Sequence, residues 1–247
     1  MRLKERIALV TGGSRGIGKA IARAFVREGA TAVICSRKAE PLAAAAEEIG
    51  AIAIPCHVGR PEDLQRLVDT VQERFGRIDI LVNNAATNVA QGPCLTLDDG
   101  QFDKMMEINL KSAFRLIRLV APGMCDRGEG SIINIASISG IRPQCEGLLY
   151  SATKAALIMM TQVYALELGP KGVRVNAIAP GLIRTALSEY YWKDDERLAA
   201  LLGRQPIRHL GEPEEIAEVA VMLAARESSF LTGQTIIVHG GATLPTV

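Results

Sequence analysis

Short apolar runs alternate with helical segments along the whole sequence of 247 residues, and this alternation constrains the fold more than any other feature. The apolar runs occupy 6–11, 31–36, 51–58, 78–84, 131–137, 173–179 and 235–238. The predicted helices occupy 15–28, 39–49, 61–75, 101–127, 148–168, 188–202 and 213–225. Strands that alternate with helices form a parallel sheet covered on both faces. We therefore predict an α/β fold: one doubly wound Rossmann domain over 1–247, with a seven-stranded parallel sheet and helices on both faces.

Composition and charge exclude several classes of protein. Apolar residues make up 48% of the chain and charged residues 22%, which is typical of globular domains and not of disordered chains. The formal net charge of +1 indicates no nucleic-acid surface, and the apolar runs are too short to span a membrane. The N-terminal segment lacks a signal-peptide core, and five scattered cysteines without C-x-x-C spacing favour free thiols. We expect a cytoplasmic protein with no metal, nucleic-acid or membrane partner.

A glycine-rich segment, T-G-G-S-R-G-I-G (11–18), joins the first strand to the first helix. Glycines at this turn let the backbone approach a pyrophosphate closely, and the N-terminus of the following helix stabilises negative charge. The spacing of the glycines differs by one step from the common dinucleotide fingerprint. We predict that this loop binds a dinucleotide through Gly12, Ser14, Arg15, Gly16, Ile17 and Gly18.

The end of the second strand indicates which dinucleotide is bound. Sites selective for NAD usually place Asp or Glu there, to bond the ribose 2′-hydroxyl. This sequence has Ser36 and Arg37 instead, and Arg15 in the glycine loop can approach the same phosphate. Two cations without a carboxylate favour NADP(H) over NAD(H), unless Arg37 is only a solvated charge. After the fourth strand comes N-N-A-A (83–86). We expect its residues Asn84, Ala85 and Ala86 to lie against the adenosine half of the cofactor.

Four residues are candidates for the chemistry, because each is expected at the carboxyl edge of the sheet. Tyr150 and Lys154 lie four residues apart near the start of a helix, Ser137 ends the fifth strand, and Asn109 lies in the helix after the fourth. An ammonium beside a phenol favours the phenolate, so we expect Lys154 to make Tyr150 more acidic. Both residues are also expected to bind the cofactor, with Lys154 holding its ribose hydroxyls. Tyr150 would then exchange a proton with a carbonyl or alcohol oxygen that Ser137 orients. We expect Asn109 to hold a water that connects Lys154 to solvent.

Together these motifs make the whole chain resemble the short-chain dehydrogenases/reductases, from the glycine loop to T-G-Q-T-I-I-V-H-G-G near the C-terminus. In P-G-L-I-R-T (180–185), the resemblance implies that Thr185 bonds the nicotinamide carboxamide and that Ile183 helps to place it. Pro180 and Gly181 of the same segment are also expected at the cofactor. The resemblance implies a homotetramer in which helices 101–127 and 148–168 form one interface.

Within the family, C-H-V-G-R-P-E-D (56–63) and the segment 179–196 are similar to an NADPH-dependent carbonyl reductase/retinol dehydrogenase group known from peroxisomes. Many family members have Asp where this chain has His57, and that Asp bonds the adenine amino group. We therefore expect His57 or the Val58 backbone to contact adenine here. The C-terminal sequence L-P-T-V is not the peroxisomal tripeptide of that group.

The segment 186–208 is predicted to form a lid over the substrate. It contains Leu187 and three aromatic residues, Tyr190, Tyr191 and Trp192, although aromatic residues are only 4% of the chain; Leu187, Tyr191 and Trp192 are the expected substrate contacts. An apolar, aromatic lid excludes water and suits apolar or aryl carbonyl compounds, although any of these side chains could instead pack in the core or at a subunit contact. We expect Gln144 and Cys145 to form a second wall of the substrate site.

Three functions are consistent with the sequence. The first is an NADPH-dependent carbonyl reductase that acts on a small-molecule ketone or aldehyde. The second is a 3-oxoacyl-carrier-protein reductase, which needs a basic docking patch, with Arg127 and Lys171 as candidates. The third is a dinucleotide-binding sensor without turnover. Since the four candidate catalytic residues are all present, the sequence favours an enzyme over the sensor.

Overall fold

The computed structural model describes residues 1–244 and has one seven-stranded sheet in this range, in which every pair of neighbouring strands is parallel. Its strand order is β3-β2-β1-β4-β5-β6-β7. The strands are β1 (Ile7–Thr11), β2 (Thr31–Ser36), β3 (Ile52–Pro55), β4 (Ile80–Asn83), β5 (Gly130–Ile135), β6 (Val173–Pro180) and β7 (Thr235–Val238). The order reverses between β1 and β4, which is the switch point of a doubly wound sheet. The predicted fold class is confirmed.

Helices cover both faces of this sheet. They are α1 (Gly16–Arg27), α2 (Ala39–Ile49), α3 (Pro61–Phe75), α4 (Asp99–Met106), α5 (Ser112–Arg127), α6 (Leu148–Leu168), α7 (Glu189–Trp192), α8 (Asp195–Leu202) and α9 (Pro213–Ala224). Helices α1, α2 and α9 pack on one face, where Val10 of β1 points. Helices α3, α5 and α6 pack on the other face, where Leu9 points. The alternation of strand side chains thus divides the core into two layers.

One predicted helix is confirmed with a local irregularity, and one is wrong as a single helix. The helix predicted at 101–127 begins at Asp99, after Asp98 caps it, and continues without a break to Arg127; a π-helical turn at Glu107–Lys111 within it separates α4 from α5. The helix predicted at 188–202 is two short helices, because Asp194 accepts a hydrogen bond from the Arg197 N–H and starts α8 anew. The third strand also ends earlier than predicted, at Pro55. There the His57 N–H leaves the ladder and donates to Asp63 in α3.

A buried chain of polar side chains fixes the carboxyl edge of the sheet. Asn83 at the end of β4 donates to Asn134 of β5 over 2.8 Å, and Asn134 donates to Thr161 of α6 over 2.8 Å. Because buried polar groups must be paired, these bonds hold the two strands and α6 in one arrangement. This arrangement places the first turns of α6 beside the ends of β4 and β5. No helix in the described residues is long and apolar enough to cross a membrane.

Candidate active site

The glycine loop between β1 and α1 is shaped by contacts that exclude side chains. A Cβ added at Gly18 would lie 2.4 Å from Nδ2 of Asn84, and Gly12 has a φ of +67°. Asn84 fixes the loop, since its Nδ2 donates to the Thr11 carbonyl over 2.8 Å. The Thr11 hydroxyl in turn accepts hydrogen bonds from the N–H groups of Asn84 and Ala85. The loop is therefore a rigid, open cradle in front of the α1 N-terminus, which fits the phosphates of a dinucleotide.

A cleft of about 370 Å³ runs along this cradle at the carboxyl edge of the sheet. It is lined by most of the residues predicted to bind the cofactor: Gly12, Ser14, Arg15, Gly16, Ile17, Ser36, Arg37, His57, Val58, Asn84, Ala85, Ala86 and Thr185. Gly18 lies beneath the loop, where it allows the close packing of Asn84. The cleft has the shape and lining that a dinucleotide needs, and the roles of the individual residues stay predictions.

The segment after β6 crosses from the sheet to the glycine loop. Pro180 ends β6, and the Gly181 N–H donates to the Val238 carbonyl over 2.8 Å. Ile183 is buried behind the segment and does not line the cleft. Thr185 reaches the cleft and touches the loop: a Cβ at Gly16 would lie 3.3 Å from its methyl group. Thr185 is thus the residue of the segment whose side chain can contact a ligand.

Two exposed arginines line the cleft without ion-pair partners in the described residues. Arg15 and Arg37 are exposed, and neither forms an ion pair within residues 1–244. By contrast, Lys19 and Arg23 of α1 share the carboxylate of Glu48. Two unpaired guanidinium groups in the lining of the cleft can bind a phosphate without first breaking an ion pair.

Four further residues line the cleft, and sequence reasoning missed them: Thr87 in the segment after β4, Lys104 of α4, and Glu107 and Ile108 of the π turn. Glu107 is neutralised by Arg115 and Lys111. The position of these four cleft-lining residues depends on how α4 crosses the edge of the sheet, and the sequence contains no local signal for that crossing.

Lys154 is the most unusual charge in the site, because its side chain is 2% exposed and has no carboxylate partner among the described residues. Its Nζ donates to the Ile135 carbonyl over 2.7 Å and lies 5.6 Å from the centre of the Tyr150 ring. Burial lowers the pKa of Lys154 to about 8. The ammonium is thus held beside the phenol at neutral pH and loses its proton at mildly alkaline pH.

Tyr150 is partly buried, and Ser137 lies near its hydroxyl. Burial raises the pKa of Tyr150 to about 12, and the interaction with Ser137 opposes this rise. The expectation that Lys154 makes Tyr150 more acidic than an ordinary tyrosine is therefore wrong for this structure. The physical reason is that desolvation of the phenol dominates this pKa; Ser137 lowers it, Tyr191 raises it, and the Lys154 ammonium is not among the groups that shift it. A phenol in this state keeps its proton at neutral pH and is ready to donate it.

Asn109 lies in the π turn, and its side chain holds the segment after β4. Its Oδ1 accepts the Thr87 N–H at 2.8 Å, while its Nδ2 donates to the Thr87 carbonyl at 2.9 Å and to the Thr153 hydroxyl at 3.2 Å. Both amide protons are therefore used within the protein, and only Oδ1 retains capacity for a water. π turns inside helices are frequent at functional sites. The water relay through Asn109 stays a prediction.

Of the predicted substrate residues in the lid, Tyr191 lies near Tyr150 and Trp192 lies away from it. Tyr191 accepts hydrogen bonds from Gln91 and from Gln144, and its phenol acts on the Tyr150 hydroxyl electrostatically. Trp192 instead donates to the Thr185 carbonyl over 3.2 Å and lines a second cleft between α1 and α9. Trp192 therefore does not lie beside Tyr191, Gln91 and Gln144, because adjacent residues of a helix point in different directions.

The other two predicted substrate residues lie at the borders of the site. Leu187 lines the cofactor cleft, and Cys145 is exposed beside Gln144. In the part of the chain that the structure describes, no cluster of His, Cys, Asp or Glu could hold a metal ion.

Comparisons with known proteins agree with this geometry. A family model described as "Enoyl-(Acyl carrier protein) reductase" matches residues 12–243. The chain is 39% identical over 245 residues to "Dehydrogenase/reductase SDR family member 4" of Oryctolagus cuniculus, covering 97% of this chain and 94% of the relative. The chain belongs to the short-chain dehydrogenases/reductases. It is also 36% identical over 249 residues to "3-oxoacyl-[acyl-carrier-protein] reductase FabG" of Thermotoga maritima, covering 99% of this chain and 100% of the relative.

Two solved structures superpose on 99% of this chain. A short-chain dehydrogenase/reductase from Mycobacterium ulcerans is 32% identical with a TM-score of 0.95, over 99% of this chain and 92% of that one. The crystal structure of gox2181 is also 32% identical, with a TM-score of 0.94 over 99% and 98% of the two chains. The chain is therefore an oxidoreductase-family protein built for a nicotinamide dinucleotide and a small-molecule substrate.

The predicted docking patch for an acyl carrier protein is wrong in its position. Arg127 donates to the Ile78 carbonyl over 2.7 Å, just before β4 begins. Lys171 lies in the turn that precedes β6, and that turn packs on Gly128. Both cations therefore lie at the amino edge of the sheet, opposite the candidate active site, because α5 and α6 carry the chain back to that edge.

Proposed function

We propose that the protein is an NADP(H)-dependent carbonyl reductase/alcohol dehydrogenase, with Tyr150 as the general acid and base. The observation that carries this proposal is the juxtaposition of Tyr150, Ser137 and the buried, uncompensated ammonium of Lys154. A fold alone would accommodate many activities, but a buried charge without a carboxylate is destabilising and is therefore explained best by a functional role. Residues 1–247 would form one dinucleotide-binding and catalytic domain, with 186–208 as its lid.

The proton chemistry follows from these side chains. A bound nicotinamide dinucleotide supplies the hydride for reduction and accepts it in oxidation. Ser137 donates a hydrogen bond to the substrate oxygen and orients it, while Tyr150 donates its proton to the same oxygen. Lys154 stabilises the phenolate that forms, and a water at Asn109 would return the proton from solvent. Because burial raises the pKa of Tyr150, the phenol is protonated at neutral pH in the free protein, which is the state that can donate a proton to a carbonyl oxygen.

NADP(H) is the cofactor that we propose, in preference to NAD(H). Support comes from the exposed, unpaired Arg15 and Arg37 and from the absence of an acidic residue at the end of β2. The glycine loop would hold the pyrophosphate, His57 and Val58 the adenine, and Thr185 the nicotinamide carboxamide, with Pro180, Gly181 and Ile183 supporting Thr185.

We also propose a homotetramer in the cytoplasm. The outer face of α6 carries exposed Met159, Val163 and Leu166, and Phe114 of α5 is exposed as well. Apolar residues repeated at helical spacing on an open surface favour burial against another copy of the chain. The cytoplasmic location rests on the five free cysteines, which fit a reducing compartment.

A 3-oxoacyl-carrier-protein reductase is the second candidate, and the observation that favours it is the likeness to the Thermotoga maritima protein. The positions of Arg127 and Lys171 count against it, because a docked carrier protein must deliver its acyl chain to the carboxyl edge. A dinucleotide-binding sensor is a third candidate, against which the complete set of Asn109, Ser137, Tyr150 and Lys154 argues.

The experiment that separates these candidates measures NADPH and NADH oxidation against ketones, aldehydes and a 3-oxoacyl thioester, with direct titration of both cofactors. We expect turnover of ketones or aldehydes with NADPH. Turnover of the thioester alone would support the second candidate. Tight NADPH binding without turnover of any substrate would support the sensor, and stronger binding of NADH would contradict the proposed cofactor.

A further inference from the structure

Two cysteines from neighbouring strands lie together beside the cofactor cleft. Cys35 is near the end of β2 and pairs with Ile54 of β3 in the parallel ladder, while Cys56 directly follows β3. Because side chains alternate along a strand, Cys56 points to the same face as Ile54 and is a diagonal neighbour of Cys35. Both cysteine side chains lie in the core layer that contains Leu9. We call Cys35 and Cys56 the thiol pair.

The two members of the thiol pair differ in access and in acidity. Cys56 lines the cofactor cleft, whereas Cys35 is fully buried and does not line it. The Cys35 thiol lowers the pKa of Cys56, although desolvation opposes this effect. The Cys56 thiol, together with desolvation, raises the pKa of Cys35. Since the thiolate is the reactive form of cysteine, a small oxidant in the cleft reacts first with Cys56.

Backbone hydrogen bonds connect the thiol pair to segments that line the cleft. The Cys56 N–H donates to the Ser36 carbonyl over 3.0 Å, and the Gly13 N–H of the glycine loop donates to the Cys35 carbonyl over 3.1 Å. His57 follows Cys56 directly and lines the cleft. Because β3 is the outermost strand, its end can move without breaking the ladder between interior strands. A change in the thiol pair therefore reaches the cleft lining from two strands.

We propose that the thiol pair is an oxidation site at which hydrogen peroxide joins Cys35 to Cys56 by a disulfide, and that this bond weakens dinucleotide binding. The Cys56 thiolate attacks the peroxide O–O bond, becomes a sulfenic acid and releases hydroxide. The Cys35 sulfur then attacks the sulfenic sulfur, the S–O bond breaks, and the oxygen leaves as water with the Cys35 proton. The thiols lose two electrons in total, and the peroxide is reduced to two waters.

The disulfide would change the shape of the cleft because the two cysteines are diagonal neighbours. A disulfide holds its sulfurs about 2 Å apart, so the end of β3 must move toward β2. This movement displaces His57 and Val58, which line the cleft after Cys56. A dinucleotide in the cleft covers Cys56, so binding and oxidation oppose each other. The inference uses the proposed cofactor as its ligand and does not depend on the proposed reaction.

The test treats the purified protein with hydrogen peroxide, with and without saturating NADPH. Peptide mass spectrometry after alkylation of free thiols locates the disulfide, and dimedone labelling detects sulfenic acid. Fluorescence titration gives the Kd of NADPH before oxidation, after oxidation and after reduction with dithiothreitol. The variants are Cys35→Ala, Cys56→Ala and the matched control Cys94→Ala, which removes an exposed cysteine. Thermal unfolding shows whether each reduced variant is folded.

We expect peroxide to form the Cys35–Cys56 disulfide and to raise the Kd of NADPH about tenfold, the effect of one or two lost hydrogen bonds. Dithiothreitol should restore the Kd, and bound NADPH should slow the oxidation. Cys94→Ala should behave as the wild-type protein does. Cys35→Ala should form no such disulfide and should accumulate a sulfenic acid at Cys56, whereas Cys56→Ala should keep its affinity for NADPH after the same treatment.

Three results would overturn the inference: no Cys35–Cys56 disulfide, a disulfide that leaves the Kd unchanged, or an equal loss of affinity in oxidised Cys56→Ala. If the reduced wild-type protein bound NADH but not NADPH, the proposed cofactor would fail. The same titrations with NADH would then decide whether the disulfide weakens dinucleotide binding.

Discussion

Replacing Lys154 with methionine is expected to stabilise the cofactor-free protein while it removes activity. Burial lowers the pKa of Lys154 from 10.5 to about 8, so holding the charged form in the folded state costs about 3 kcal/mol at pH 7. Methionine has a similar length and no charge, but it loses the hydrogen bond to the Ile135 carbonyl, which offsets about 1 kcal/mol. The free energy of unfolding should therefore rise by about 2 kcal/mol at neutral pH.

The pH dependence distinguishes this charge effect from improved packing. Between about pH 8 and pH 10.5, unfolded Lys154 binds more protons than folded Lys154, so the stability of the wild-type protein rises with pH. The stability of the methionine variant does not rise in this way. Its free energy of unfolding should therefore exceed that of the wild-type protein by only about 1 kcal/mol near pH 9. Urea unfolding at pH 7 and at pH 9, at equal protomer concentration, measures the difference in unfolding free energy between the variant and the wild-type protein. Lys171→Met, which changes an exposed lysine, is the control. An advantage that is absent, or that stays constant or grows with pH, would refute the reasoning.

Three further perturbations test other parts of the account. Arg37→Ala should raise the Kd of NADPH about tenfold and leave that of NADH unchanged, because it removes one charge-assisted contact; fluorescence titration measures both, and equal losses would contradict the prediction. Nδ1 of His57 accepts the Gly59 N–H at 3.1 Å, so the ring donates through Nε2 and cannot accept the adenine amino proton. His57→Asp should therefore increase the preference for NADPH over its hypoxanthine analogue about fivefold in binding titrations, and an unchanged ratio would show that the ring does not contact the base. Met159→Glu and Leu166→Glu should each shift the protein to smaller oligomers in analytical ultracentrifugation, since both place a charge on the apolar face of α6; an unchanged oligomer would exclude this face as an interface.

The elements with local signals could be predicted closely from the sequence. Helix α3 was predicted at 61–75 and runs over Pro61–Phe75, because proline occupies its first turn and Gly76 ends it in the left-handed conformation. The glycine loop was also predictable, since Gly12 and Gly18 are required by the close approach of Asn84. In each case the signal lies within a few residues of the feature.

The features that sequence reasoning missed depend on distant contacts. The π turn at Asn109 is accompanied by a side-chain clamp on Thr87, which is 22 residues away. Gln91 carries no local motif and becomes part of the site only through Tyr191, 100 residues later. The pKa of Tyr150 could not be predicted from the nearby Lys154 alone, because the balance between desolvation and charge depends on the packing around both groups.

The central claim is that Tyr150 donates the proton when the protein reduces a carbonyl compound. Single-turnover oxidation of bound NADPH by a reducible ketone, compared between the wild-type protein and Tyr150→Phe, tests it most directly. We predict that the variant binds NADPH as the wild-type protein does and that its rate of oxidation falls by about a hundredfold or more, as is usual when a general acid is removed. A variant that binds NADPH normally and oxidises it at the wild-type rate would contradict the claim.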